Sequence, residues 1–460
     1  MESITLNGTW ECKSAAEDVW RPVSVPGTVL SEWLKLGVIE DPFYRTNETI
    51  ARQLGELDYE YRRTFTVDER FLGRDRVVLV CEGLDTLAEL SLNGEVFAVT
   101  DNMHRTYEFD VKPLLRAGEN VLHIVFRSPV RYLREKQKER PLWCTKESVD
   151  GFPHLRKAHY MFGWDWGPVI PDAGIWRDIR LSAWNTARIR DVLVRQRHDA
   201  GRVTLHISVE AERCSDRPLS AAIAVAAPDG TVRRTEIPLT AETGTAVIVI
   251  DDPMLWWPNG FGKQPLYRVT AELAAEGERL DTRSFSIGLR TFTIRRVPDE
   301  WGESFEYHIN GVSIFAMGAN YIPQDNLLGR LSRERAERLI RDCVEANFNT
   351  IRVWGGAFYP HDWFYDLCDQ YGLIVWQDFM FGCAVYEMTP EFAESIRREA
   401  EDNIRRLRHH PSLGLWCGNN EMEWAWVEWD VPQIPKLKTD YIKQFEVLLP
   451  EVVARLDPDR

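Results

Sequence analysis

A glutamate stands directly behind two amides in Gly418-Asn419-Asn420-Glu421, and the four residues follow the apolar stretch Leu413-Gly-Leu-Trp-Cys417. A carboxyl at the end of an apolar strand is well placed for general acid work, because it can give a proton to a leaving group and later take one back. Trp416 and Trp424 are the apolar neighbours expected to desolvate it. Asn420 can hold a sugar hydroxyl through a bond that strengthens in the transition state. The competing reading of Glu421 is a structural carboxylate paired with an arginine, and spacing alone leaves both open.

Other candidates lie where predicted strands end, at Asn320-Tyr321, Trp354-Gly355-Gly356 and Gln377-Asp378. Upstream, Trp164-Asp165-Trp166 combines indole faces, which can cover the C–H face of a sugar, with a carboxylate that can accept two hydroxyl hydrogen bonds. Asp165 could instead cap its own turn in a buried loop. Read from the residues alone, Trp354 and Trp429 pack at a barrel mouth. Asp378 reads as a hydrogen-bond partner rather than a reactant. His409 and His410 are adjacent, so on a helix they point different ways and make no i,i+4 metal pair. With no H-E-x-x-H or phosphate-loop pattern either, no metal or cofactor is expected.

These residues need elements to hold them. Tyr59–Val67 and Asn120–Phe126 alternate as half-buried strands do, and Asn93-Gly94 is a hairpin turn. With no long helical period in residues 1–186, an antiparallel sandwich of jelly-roll type is expected there. Strands at Val203–Val209, Ala221–Ala226, Ala246–Ile250 and Tyr267–Leu273 predict an immunoglobulin-like sandwich over 187–288. From 289 to 460 the period changes, after a hairpin at Asn310-Gly311. Helices are expected over Arg333–Phe348 behind Ser332, His361–Tyr371 stopped by Gly372, Thr389–Arg408 and Leu437–Leu456. They alternate with strands at Thr350–Trp354, Leu373–Gln377 and Leu413–Cys417. Four β–α units without G-x-G-x-x-G after the first strand favour the first half of a (β/α)8 barrel, which needs ~250 residues. In such barrels the reacting groups sit at the C-terminal ends of the strands. Lys136–Arg140 reads as an exposed turn, and Arg405-Arg406-Leu-Arg408 as the solvated end of a helix.

Composition sets the class. At ~150 residues per domain, 460 residues suggest several domains, and 44% apolar with 28% charged residues is globular. A net charge of −15 argues against nucleic acid or an anionic membrane as partner. The 18 tryptophans favour flat stacking surfaces. Cys12, Cys81, Cys144, Cys214, Cys343, Cys368, Cys383 and Cys417 form no C-x-x-C pair and are expected to be buried free thiols. With no secretory signal at the start and no apolar run of membrane-spanning length, a cytoplasmic location is expected. The sequons at Asn7 and Asn47 then mean little.

Gly418-Asn-Asn-Glu421 behind a Leu-x-Leu-Trp strand resembles the acid/base motif of family 2 glycoside hydrolases. Asp41-Pro-Phe-Tyr-Arg-Thr-Asn47, Phe162-Gly-Trp-Asp-Trp-Gly-Pro168, Ile351-Arg-Val-Trp-Gly-Gly356 and Val375-Trp-Gln-Asp-Phe-Met380 resemble β-mannosidases within it. The resemblance runs along the whole chain in the family's domain order. It implies that Glu421 is the proton donor and later the base. It also implies that Trp164 and Asp165 bind a terminal β-mannosyl unit of an oligosaccharide, cleaved with retention of configuration, and that Trp354 and Trp429 line the pocket; Trp166 and Asn420 join them as candidate substrate-binding residues.

The resemblance also implies a nucleophilic glutamate on a late barrel strand, and none of the 460 residues matches its motif. The expectation is therefore that this polypeptide alone is inactive and is the N-terminal part of a longer enzyme, or that a separate C-terminal half completes it. Other readings are a different family 2 exo-glycosidase (β-galactosidase, β-glucuronidase or exo-glucosaminidase), a non-catalytic carbohydrate-binding remnant, or a purely structural protein.

Overall fold

A computed structural model describes residues 1–460. In Tyr59–Val67 the inward positions Tyr59, Tyr61, Phe65 and Val67 are buried, as the alternation requires. The strand sits inside a six-stranded antiparallel sheet, between Gly8–Ser14 and Gly118–Phe126. The sheet ends in the hairpin of Ala88–Leu92 and Glu95–Thr100, where Asn93 and Gly94 take φ of 54° and 89°. A four-stranded sheet of Glu2–Thr5, Ile179–Trp184, Arg76–Cys81 and Tyr107–Asp110 packs on it. Trp10, Tyr61, Leu79, Ile124, Phe126 and Leu181 fill the core between them, so the first unit is a jelly-roll-like sandwich.

The second unit is an immunoglobulin-like sandwich. Ala187–Asp199, Arg202–Arg213 and Thr243–Asp251 form one sheet. Val232–Leu239, Leu219–Ala226, Tyr267–Ala275 and Glu278–Ile287 form the other. Leu205, Ile207, Ile223, Val269 and Leu273 are buried between them.

In the third unit, Gly318–Tyr321, Thr350–Val353, Ile374–Asp378 and Leu413–Cys417 pair in parallel in chain order. Helices Arg333–Glu345, Asp362–Tyr371 and Pro390–Leu407 connect them. The Ser332 and Thr389 hydroxyls accept the N–H of Arg335 and Phe392, each at 3.2 Å, as N-caps do. Gly372 ends its helix at φ 76°. This is half of a (β/α)8 barrel. The helix expected over Leu437–Leu456 starts at Pro435 and passes through a π-helical stretch, Lys443–Leu448. No helix is long and apolar enough to cross a membrane.

Two readings of charged runs are corrected here. Lys136–Arg140 is not a turn but the end of the helix Pro129–Glu139, capped by Ser128; only Pro129 and Leu133 are buried on its inner face, too little for a visible period. Arg405–Arg408 is not a solvated face. Arg408 is buried, pairs with Asp191 of the second sandwich and donates to the Leu456 carbonyl at 2.7 Å, while Arg406 pairs with Asp362. The partner that pulls Arg408 inward lies 217 residues away, at a strand bulge, so helix periodicity could not show it. The second sandwich is thereby fastened to the half-barrel.

Candidate active site

The four parallel strands bring their C-terminal ends together. On the second strand, Arg352 donates to both oxygens of Asp378 at the end of the third, at 3.1 and 2.6 Å. Asp378 also accepts the Gly355 N–H and the Trp376 indole N–H, each at 3.0 Å. Burial pushes its carboxyl up to about 6, and the Arg352 guanidinium pulls it back. Arg352 donates further to Asn420 Oδ1 at 2.9 Å. Asn420 is buried and turns its Nδ2 to Glu421 Oε2 at 3.0 Å. An ordered chain of donors thus runs from the barrel interior to the glutamate.

Glu421 sits just past the fourth strand at φ 61°, ahead of the short helix Met422–Glu428, which the sequence reading missed. The partners of its carboxylate are Asn420 and the Cys383 thiol, which donates to Oε2 at 3.2 Å, and not an arginine. Among these residues no arginine pairs with Glu421, and Oε1 is left for other partners. Within these residues the two expected neighbours do not cover it. Glu421 is exposed; Trp416 points to the outside of the sheet, stacks on Phe379 at 5.3 Å and donates to Asp457 at 3.0 Å. Strand alternation sends Trp416 and Cys417 to opposite faces, which turns the indole away from the face that Cys417 shares. Trp424 is itself half exposed.

The first sandwich contributes a hairpin to the same place. Phe162–Trp164 pairs with Gly167–Val169, leaving Asp165 and Trp166 exposed at the tip. Trp164 meets Trp354 edge-on with ring centroids 4.8 Å apart, and Trp166 does so at 5.6 Å. At the base of the hairpin, the Tyr160 N–H donates to the Gly356 carbonyl at 2.9 Å. Trp164, Trp166 and Trp354, remote in sequence, thus form one aromatic group. Burial first, then the Glu421 carboxylate and to a smaller degree that of Asp165, push the Cys383 thiol up. Trp429 lies between Trp143, at 6.0 Å, and Trp424, at 5.7 Å.

Arg352, Cys383 and Trp143 were not singled out from sequence. Alternation from Trp354 points to Arg352 on the same strand face, whereas nothing local marks the other two. Away from the mouth, His410 Nδ1, in the loop after Pro390–Leu407, meets buried Asp369 of the helix Asp362–Tyr371 at 2.6 Å, with Asp366 close by.

The hairpin depends on Gly163. It has φ 97°, and a Cβ there would lie 2.6 Å from Val169 Cγ2 and 3.0 Å from the Glu147 carbonyl. Gly163→Ala is expected to lose about 1–3 kcal/mol of local stability and to free the tip. Faster amide hydrogen exchange over 162–169 than in the wild type checks this; unchanged exchange would contradict it.

The arrangement offers one carboxylate pinned through a single oxygen, and a hairpin from another unit that brings indole faces and a second carboxylate to the same mouth. That suits proton transfer to a ligand held against aromatic rings. Residues 10–177 match the model described as "Glycosyl hydrolase 2 galactose-binding domain-like", and 187–290 match "Glycosyl hydrolases family 2". The chain is 38% identical to a β-mannosidase B of Neosartorya fischeri, over 100% of its own length and 56% of the relative's. A solved β-D-mannosidase from Dictyoglomus thermophilum superposes with a TM-score of 0.95 at 38% identity, over 100% of this chain and 57% of that one. An exo-chitosanase from Amycolatopsis orientalis shares the fold, with a TM-score of 0.73 at 19% identity. The chain therefore spans a little over half the length of the β-mannosidases it matches.

Proposed function

Because the chain belongs to family 2 of the glycosyl hydrolases, we propose that it carries the acid/base half of a retaining exo-β-mannosidase. Glu421 gives its proton to the departing glycosidic oxygen and then, as a base, draws one from water. Asp165 accepts hydroxyl hydrogen bonds from the terminal sugar. Trp164, Trp166 and Trp354 cover its C–H face, Asn420 holds a hydroxyl, and Trp429 borders the leaving-group side. The hairpin from the first sandwich blocks passage of a longer chain, which fits attack at a terminal residue. The observation that carries this reading is the convergence of that hairpin and the fourth strand end on one corner, with Glu421 free of any guanidinium. In this reading 1–186 and 187–288 are the scaffold, 289–460 is the catalytic half-barrel, and eight free thiols fit a cytoplasmic setting.

Retention needs a second carboxyl about 5–5.5 Å from the first, and we assign none within these residues. The 460-residue polypeptide alone is expected to release no measurable phenol from an aryl β-mannoside. Co-expression with the C-terminal half of a β-mannosidase relative is expected to restore turnover, with preference over aryl β-galactoside and β-glucoside. Robust hydrolysis by the chain alone, or a preference for another sugar in the pair, refutes the respective part. A second reading, a binder without turnover, is favoured by the aromatic corner already assembled here. Calorimetry with mannobiose beside the paired assay separates the two.

A further inference from the structure

The carboxylate assigned as proton donor is gripped by a cysteine. Cys383 Sγ lies 3.2 Å from Glu421 Oε2, and Asn420 Nδ2 reaches both the sulfur, at 3.2 Å, and that same oxygen, at 3.0 Å. We propose that Cys383 is a positioning residue for Glu421: its S–H donates to Oε2 and, with Asn420, fixes the carboxyl so that Oε1 alone faces the leaving group. The inference rests on Glu421 being the proton donor.

The backbone is built to put the sulfur there. Cys383 has φ 49°, a conformation that a residue with a side chain enters only when its surroundings hold it. The Cys383 N–H donates to the Asn420 carbonyl at 3.2 Å, and the Asn420 N–H donates to the Phe381 carbonyl at 2.9 Å. This zips the loop after the third strand to the end of the fourth. From the first sandwich, the Thr145 N–H donates to the Cys383 carbonyl at 3.2 Å. Next door, the Gly382 N–H donates to the Tyr386 hydroxyl at 3.1 Å, and that hydroxyl meets His159 Nε2 at 2.7 Å. Glu421 also has a positive φ, 61°, so both partners of the contact stand in left-handed backbone that the two strand ends impose on each other.

The protonation state is right for a donor. Burial, then the neighbouring carboxylates of Glu421 and Asp165, push the thiol up, so it keeps its proton at neutral pH. The other groups facing this corner are the Arg352–Asp378 pair, which acts through Asn420, and Cys417 at the end of the fourth strand. Alanine at 383 removes the donor, whereas serine keeps one.

Two measurements test the proposal. The first is Raman spectroscopy of the S–H stretch in the 460-residue chain, with the Cys383 band assigned by its loss in Cys383→Ser. Glu421→Gln is expected to shift that band to higher frequency as the hydrogen bond weakens; a band that does not move overturns the contact, whether or not the protein turns over. The second compares aryl β-mannosides with a poor and a good leaving phenol, in the chain co-expressed with a relative's C-terminal half. Cys383→Ala is expected to lose roughly 10- to 100-fold in kcat/KM on the poor leaving group and little on the good one, with most of the loss recovered by Cys383→Ser. Equal losses on both substrates would overturn the proposal. If Glu421→Gln itself shows no dependence on the leaving group, the proton-donor assignment falls instead.

Discussion

Glu399→Ala is expected to destabilise the chain by about 3–5 kcal/mol, the cost of leaving a buried charge without its partner. Glu399 lies on the helix Pro390–Leu407, and its side chain and that of Arg156, from the first sandwich, are each 2% exposed. The guanidinium donates to both carboxylate oxygens, at 2.8 and 2.6 Å, with Asn102 Nδ2 at 2.9 Å and the Tyr359 hydroxyl at 3.3 Å as further donors. Truncation would strand the two guanidinium donors and the Tyr359 hydroxyl in a site water cannot reach, while Asn102 Nδ2 keeps only its 3.2 Å bond to Ser395 Oγ. Against a typical stability of about 5–15 kcal/mol for a domain, that is a large fraction. Urea denaturation checks it: a loss below about 1 kcal/mol would contradict the argument. The double variant Arg156→Met with Glu399→Leu is expected to recover most of the loss, because a buried pair replaced by apolar volume loses no desolvated charge.

The consequence of that pair reaches the mouth. Arg156 packs over the Phe381 ring with its guanidinium carbon 3.9 Å from the centroid, and the Phe381 carbonyl receives the Asn420 N–H. One side chain therefore touches both the clamp between first sandwich and barrel and the loop that carries Cys383. The hairpin tip with Asp165 belongs to the same sandwich, and its distance from Glu421 is set by how that sandwich docks. A weakened clamp is expected to blur this geometry before the chain unfolds.

Much of this architecture was legible locally. The period-2 burial of Tyr59–Val67, the Asn93-Gly94 turn, the Ser332 and Thr389 caps and the Gly372 stop are all decided by residues within a few positions of each other, so the sequence shows them. The position of Glu421 at a strand end was legible for the same reason. What sequence could not show is pairing across the chain. Arg408 looks like a helix-end cation until Asp191 is brought beside it, and Cys383 looks like a core thiol until the fourth strand end closes on it. Trp416 misled because adjacency in a strand was taken for adjacency in space, and alternation puts neighbours on opposite faces. Trp164 and Trp354 meet at 4.8 Å although 190 positions separate their numbers, and only their resemblance to family motifs hinted at it.

Glu421→Gln is expected to lower kcat/KM of the completed enzyme by roughly 10²–10⁴-fold on glycosides whose leaving group needs a proton, the usual worth of general acid catalysis. The isostere keeps the shape of the corner and can still accept from Asn420 Nδ2, which now donates to Oε2 at 3.0 Å, so the loss measures the proton rather than the fold. On an aryl β-mannoside whose phenol departs unaided, formation of the glycosyl-enzyme should fall little. Its hydrolysis, which needs the same group as a base, should become limiting, so that a burst of phenol precedes a slow steady state. Added azide, which needs no base, should speed that second step in the variant and not in the parent. A variant that keeps parental kcat/KM on the poor leaving group would remove Glu421 from the reaction, and with it the reason for the thiol, the amide and the Arg352–Asp378 pair to be ordered behind it.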